Sequence, residues 1–180
     1  MTMNGKTHKH TITALVQDKP GVLNRVASMF RRRGFNIASL AVGQSEVPDL
    51  SRMTFVVNAE SEDTVEQATK QLRKIIEVVK VTDLSKEDIV HRELALVKVR
   101  APDSAIRGEI IQIIELFRAK IVDVAADTLV IEITGEETKI DTILNLMKGF
   151  GIIEIMRTGR VAITRGAKAS LKTSAASKER

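Results

Sequence analysis

The sequence predicts an α+β protein made of two tandem βαββαβ units of the ferredoxin-like kind. Three observations carry this reading. Short alternating apolar runs are bounded by turn residues, as strands are. Longer stretches between them repeat apolar residues every three or four positions, as helices do. The order strand, helix, strand, strand, helix, strand then occurs twice, with its opening strands roughly eighty residues apart, too far for a solenoid.

His10 to Gln17 opens the first unit, with Ile12, Ala14 and Val16 on one face of a half-buried strand. Pro20 and Gly21 punctuate it, and Pro20 suits a first helical turn because its missing N–H costs nothing there. Val22, Leu23, Val26, Met29 and Phe30 recur at helical spacing. Arg31, Arg32 and Arg33 close that helix, and Gly34 caps it. Asn36 to Gln44 and Arg52 to Asn58 read as strands around a Val47-Pro48-Asp49 loop. Ser61, Glu62 and Asp63 open a helix carrying Val65, Ala68, Leu72 and Ile75 or Ile76, and Glu77 to Leu84 is the fourth strand.

The second unit repeats the order. Glu93 to Arg100 alternates, and Asp103 is placed to cap a helix carrying Ile106, Ile110, Ile113, Ile114 and Phe117. Lys120 to Ala125 and Leu129 to Thr134 are strands. Glu136 and Glu137 open a helix with Ile140, Ile143, Leu144 and Met147. Ile152 to Thr164 supplies the last strand, broken near Gly159. The expected organisation is a first domain at 8–84, a linker at 85–91, a second domain at 92–166 and a disordered basic tail at 167–180. Units of this size bury too little surface to stand alone, and a sheet with both helices on one face leaves edges open, so at least a dimer is expected.

Composition removes several functions. The chain of 180 residues has no Cys, Trp or Tyr and is 3% aromatic. Thiol nucleophiles and zinc-thiolate sites are excluded, and the poverty of aromatics, five Phe in all, argues against stacking on single-stranded nucleic acid. The net charge of +5 is concentrated in the tail, where Arg165, Lys168, Lys172, Lys178 and Arg180 face only Glu179. No nucleic-acid partner is therefore expected. No run approaches the ~18 apolar residues of a spanning helix. The polar Met1 to His10 segment is neither signal nor anchor, so no membrane association and a cytoplasmic location are expected. His8 and His10 fall in a frayed terminus and His91 in the linker, and no triad or metal-ligand spacing surrounds them. Gly149-Phe150-Gly151 follows a helix and lacks the third glycine of a dinucleotide loop. No catalytic residues are expected.

One segment offers binding chemistry: Asp18-Lys19-Pro20-Gly21-Val22-Leu23, at the first strand-to-helix turn. Gly21 has no side chain to hold another molecule off the backbone. Free N–H groups and the positive end of the helix dipole favour a carboxylate, and Asp18 can pair with an ammonium group. A capped helix with a tight turn explains the same residues without any ligand. The arginine run likewise fits either favourable placement at a helix C-terminus or a docking patch for phosphate or an acidic partner.

The run from Asp18 through Arg25, followed by Phe30-Arg31-Arg32-Arg33-Gly34-Phe35-Asn36-Ile37-Ala38-Ser39-Leu40, resembles the N-terminal ACT domain of acetohydroxyacid (acetolactate) synthase small subunits. Leu50-Ser51-Arg52-Met53-Thr54, Glu93 to Val99 and Arg157-Thr158-Gly159 extend the resemblance from His10 to Gly166. The resemblance implies an ACT homodimer whose effector site lies between two N-terminal domains, with Asp18, Pro20, Gly21, Val22 and Leu23 of one chain facing Asn36 and Ile37 of the other. Many relatives carry Asn where this chain has Asp18, which leaves effector strength open. The second unit has Ala101-Pro102-Asp103 at the equivalent turn and is expected to lack such a site. The implied function is non-catalytic: activating a large catalytic subunit and conferring feedback inhibition by valine. Thiamine diphosphate, magnesium and FAD are then expected in that subunit and none in this chain. A stand-alone amino-acid sensor or a transcriptional regulator is the alternative.

Overall fold

The computed structural model describes residues 8–59 and 61–167. The first repeat contains β1 (His8–Gln17), α1 (Val22–Arg32), β2 (Ile37–Gln44), β3 (Leu50–Ala59), α2 (Glu62–Leu72) and β4 (Val78–Asp83). The second contains β5 (Ile89–Arg100), α3 (Ser104–Leu116), β6 (Lys120–Val124), β7 (Thr128–Gly135), α4 (Glu137–Met147) and β8 (Ile152–Arg157), and β9 (Val161–Thr164) follows. The first sheet has the order β2-β3-β1-β4 and the second the matching order β6-β7-β5-β8, all neighbours antiparallel. Two ferredoxin-like βαββαβ units are therefore present, as the repeat predicts. Apart from Ala167, the expected disordered tail lies outside the described residues.

In the first unit, Ile12, Ala14 and Val16 of β1 and Met53, Phe55 and Val57 of β3 meet Val26, Met29 and Phe30 of α1 and Val65, Ala68 and Leu72 of α2. The end of α1 shows local chemistry at work. Gly34 has φ 72, its N–H donates to the Arg31 carbonyl at 3.2 Å, and the Phe35 N–H donates to the Phe30 carbonyl at 3.0 Å. These two bonds satisfy carbonyls that the helix leaves open. The Phe30 and Phe35 rings then meet edge to face, their centroids 5.8 Å apart, which locks the chain's exit toward β2.

The structure corrects several local expectations. His8 and His10 belong to β1 rather than to a frayed end, and His10 Nδ1 lies 3.2 Å from Ser85 Oγ. Helix α2 stops at Leu72, before Ile75 and Ile76; Ile75 is half-buried, but Ile76 is 90% exposed. Helix α1 starts at Val22, so Pro20 precedes it instead of occupying its first turn. β1 is buried on both faces from Thr11 to Val16, not on one. At Thr11 the 160–167 segment contributes to that cover. Arg160 donates from its guanidinium to the Thr11 hydroxyl at 3.0 Å and from its backbone N–H to Ser39 Oγ at 3.4 Å.

The compact units follow the same path. Described residues up to Val90 group with 160–167, and His91–Gly159 forms the other unit. Besides Arg160, the Arg165 N–H donates to the Asp88 carbonyl at 2.9 Å, and β9 pairs with β5, whose first residues Ile89 and Val90 are in the first unit. The repeat alone had placed everything to 166 with the second domain.

The second unit packs Ala95, Val97 and Val99 of β5 and Leu129, Ile131 and Ile133 of β7 against Ile110 and Ile114 of α3 and Ile140, Ile143 and Met147 of α4. At the end of β8, Arg157 makes two bonds to Glu93, at 2.6 and 2.8 Å, and one to Asp141 at 2.8 Å. The Glu93 carboxylate, first among these partners, holds the guanidinium well above its usual range. Glu93 is only 8% exposed, so removing its partner strands a buried charge. Arg157→Met should lower unfolding stability by about 3 kcal/mol, whereas Glu93→Gln with Arg157→Met together should recover part of that loss. Urea unfolding of the three variants measures both; a double variant less stable than Arg157→Met alone would contradict the argument.

Candidate functional site

The turn between β1 and α1 is pinned by backbone contacts from two distant connections. The Gln17 N–H donates to the Glu77 carbonyl and the Asp18 N–H to the Asp49 carbonyl, each at 2.8 Å. Asp49 itself has φ 60 at the tip of the β2–β3 loop. That loop is braced by Ser45, whose hydroxyl accepts from the Val47 N–H at 3.0 Å, and by Arg52 bonded to Glu46. The backbone contact, and then Arg52, hold the Glu46 carboxyl below its ordinary value. Neither Glu77 nor Asp49 was legible as part of the site. Both act through carbonyls, which carry no residue-type signal.

Gly21 is the N-cap of α1, with φ 85 and ψ −9. An added Cβ would meet nothing within 4 Å, so glycine is demanded by the backbone angle and not by crowding. No side chain caps the helix, and its first turn has no acidic residue. The Val22 N–H reaches the Lys19 carbonyl at 3.4 Å and the Arg25 N–H the Gly21 carbonyl at 3.0 Å. The amides of Leu23 and Asn24 have no such partner among the described residues. Two N–H groups at the positive end of a helix dipole thus open toward solvent, next to the exposed Asp18. This arrangement suits a carboxylate with an ammonium beside it.

The equivalent turn of the second unit is closed from within. Asp103 caps α3, its Oδ1 accepting from the Ile106 N–H at 2.8 Å. Arg107 donates to the carbonyls of Ala101, Ala125 and Ala126, filling the space around that turn with the protein's own groups. A free carboxylate would have to displace Asp103. The two turns share a place in the fold and differ in whether the anion position is already taken.

The other expected site residues fall into distinct places. Leu23 is 46% exposed and can offer apolar contact, whereas Val22 is 3% exposed and its side chain belongs to the core. Pro20 is exposed on the turn. Asn36 is exposed at the start of β2, its carbonyl accepting from the Asn58 N–H at 3.4 Å, and Ile37 is half-buried against the core, paired with Val57. The register places Val57 opposite His10 and Leu50 opposite Gln17, at opposite ends of β1. Asn36 and Ile37 therefore lie on the order of 20 Å along the sheet from Asp18 and Gly21. One chain does not bring the two groups together. β2 is the outer strand of its sheet, so Asn36 and Ile37 sit at an edge open to another molecule.

Among the described residues, no group of three or more His, Asp or Glu side chains is placed to hold a metal ion, and no helix is long and apolar enough to cross a membrane.

Comparison with known proteins finds two family segments, the second of which runs through 160–166. Residues 12–80 match the family model of the AHAS small subunit-like ACT domain, and residues 92–166 that of the small subunit of acetolactate synthase. A probable acetolactate synthase small subunit of Archaeoglobus fulgidus is 54% identical over 160 residues, covering 89% of this chain and 99% of that protein. An acetolactate synthase small subunit of Mycolicibacterium smegmatis is 51% identical over 164 residues, covering 91% of this chain and 95% of that one. The crystal structure of the acetolactate synthase small subunit from Thermotoga maritima superposes with a TM-score of 0.82 at 45% identity, covering 88% of this chain and 98% of that one.

Proposed function

The chain belongs to the acetolactate synthase small-subunit family, and on that premise we propose that it is the regulatory partner of a separate catalytic subunit. It activates that subunit and makes it answer to valine, bound at the β1–α1 turn. The observation that carries the effector site is the contrast between the open first turn of α1 and the Asp103-capped first turn of α3. Leu23 and Asn24 supply amides to the valine carboxylate, and Asp18 pairs with its ammonium. Asn36 and Ile37 come from a second copy, because the first chain's own pair lies at the far end of the sheet. A homodimer is therefore part of the site. Binding alone does not inhibit; valine must favour one state of the complex over the other.

Thiamine diphosphate, magnesium and FAD belong to the catalytic subunit in this reading, which carries out the condensation of pyruvate. This chain's contribution is conformational. Purified alone and supplied with those three cofactors, it should make no acetolactate from pyruvate. Added to its catalytic subunit, it should raise the rate severalfold and introduce inhibition by valine. Turnover by this chain alone would overturn the regulatory assignment. Capture of specific DNA, with no thiamine-dependent partner in a native pull-down, would favour a transcriptional regulator instead.

A further inference from the structure

Arg32 at the end of α1 and the turn after α2 border one open groove of about 420 Å³, which reaches Asn24 near the start of the helix. Arg25 and Arg32 of α1 line it together with Lys74, Ile75, Ile76 and Glu77 from the connection to β4. Its one acid is already used: Glu77 is 13% exposed and is ion-paired to Arg25. Arg32 and Lys74 have no ion-pair partner among the described residues, so the groove's outward charge is positive. Ile76, 90% exposed, stands beside them on a turn where it supports no core.

We propose that this groove docks an acidic segment of the catalytic subunit that also carries an aliphatic residue to cover Ile76. The proposal rests on the regulatory reading above and adds where the two subunits meet. Charge decides the kind of occupant. A second copy docked two-fold here would set the same basic groove against itself, while an acidic partner is attracted to it. Ile76 argues against a polyanion such as nucleic acid, which gains nothing from an exposed aliphatic side chain, and the groove has no aromatic residue on which a base could stack. Favourable interaction with the α1 dipole accounts for Arg32 at the helix end. It does not account for Lys74 or Ile76, which lie outside any helix.

The test therefore uses Lys74→Glu combined with Ile76→Ser, in the full chain with its catalytic subunit. Both side chains are off the helices and outside the effector turn itself, which the neighbouring Glu77 holds only through its backbone carbonyl. Titration calorimetry should show at least a tenfold weaker association with the catalytic subunit and a shallower dependence of affinity on salt. Valine binding by the small subunit alone should stay within twofold of wild type. Lys74→Arg with Ile76→Leu should keep wild-type association. Unchanged association of the Lys74→Glu, Ile76→Ser chain, alongside a wild-type chain that binds and activates, removes the groove from the interface and leaves the regulatory reading standing. A wild-type chain that binds no catalytic subunit removes both. A variant that loses only affinity for duplex DNA, with subunit association intact, shows that the groove serves a different polyanion and overturns the proposal.

Discussion

Gly21→Asp should give a small subunit that still assembles and activates but needs ten- to more than a hundredfold more valine for half-inhibition. The substituted carboxylate would stand at the start of α1, beside the open amides of Leu23 and Asn24. It can take the position proposed for the valine carboxylate and repel a second anion there. Losing one charge-assisted contact costs about 1.5–3 kcal/mol, which corresponds to that range of affinity. The fold should tolerate the change. An added Cβ meets open space, and Asp is among the residues best able to adopt a positive φ, at a cost of about 1–2 kcal/mol. Gly21→Ala is the control, since it imposes the same strained backbone without the charge and should keep wild-type sensitivity within a few-fold. Asn36→Ala should weaken valine from the other copy, by less, because it removes a neutral contact. Valine titration of reconstituted complexes distinguishes these outcomes. A Gly21→Asp complex with wild-type half-inhibition would place the effector elsewhere.

The same residues show how far the sequence could be read. Strand and helix identity was legible because β1 and β5 alternate, β3 and β7 are short apolar runs between turn residues, and the helices repeat apolar residues on the helical period. Caps were legible where a side chain makes them, as at Ser61 and Asp103. Gly34 was legible because glycine followed by a large apolar residue after a helix has a single favourable geometry. The end of α2 was not: Ile75 and Ile76 continue its apolar period, but the chain turns after Leu72, and burying Ile75 leaves its neighbour in solvent. The site was half legible. Asp18 and Gly21 announce themselves by residue type and spacing. The carbonyls of Asp49 and Glu77 that hold the turn do not, since backbone acceptors are the same in every residue.

The boundary between the units was the least legible feature, and it sets the last expectation. The repeat suggests that a chain ending at Leu84 is a complete first domain. The structure instead places 160–167 in that unit, where Arg160 bonds to Thr11 and Ser39 and Ala162 is 5% exposed. Cutting after Leu84 removes the guanidinium from Thr11, which is 2% exposed, at a cost of about 1.5–3 kcal/mol. It also removes the segment containing buried Ala162 and exposes the apolar surface that segment meets, at about 25 cal/mol per Å². A small domain has only ~5–10 kcal/mol to lose. The 1–84 chain should therefore unfold at a midpoint lower by more than 10 °C, or aggregate through its exposed sheet, and should neither dimerise cleanly nor bind valine. In the full-length chain, Arg160→Ala should show part of this loss, with a thermal midpoint lower by several degrees and both subunit association and activation retained. A 1–84 chain that melts cooperatively at the full-length temperature would show that β1's second face needs no cover from 160–167, and the sequence's simpler boundary would stand.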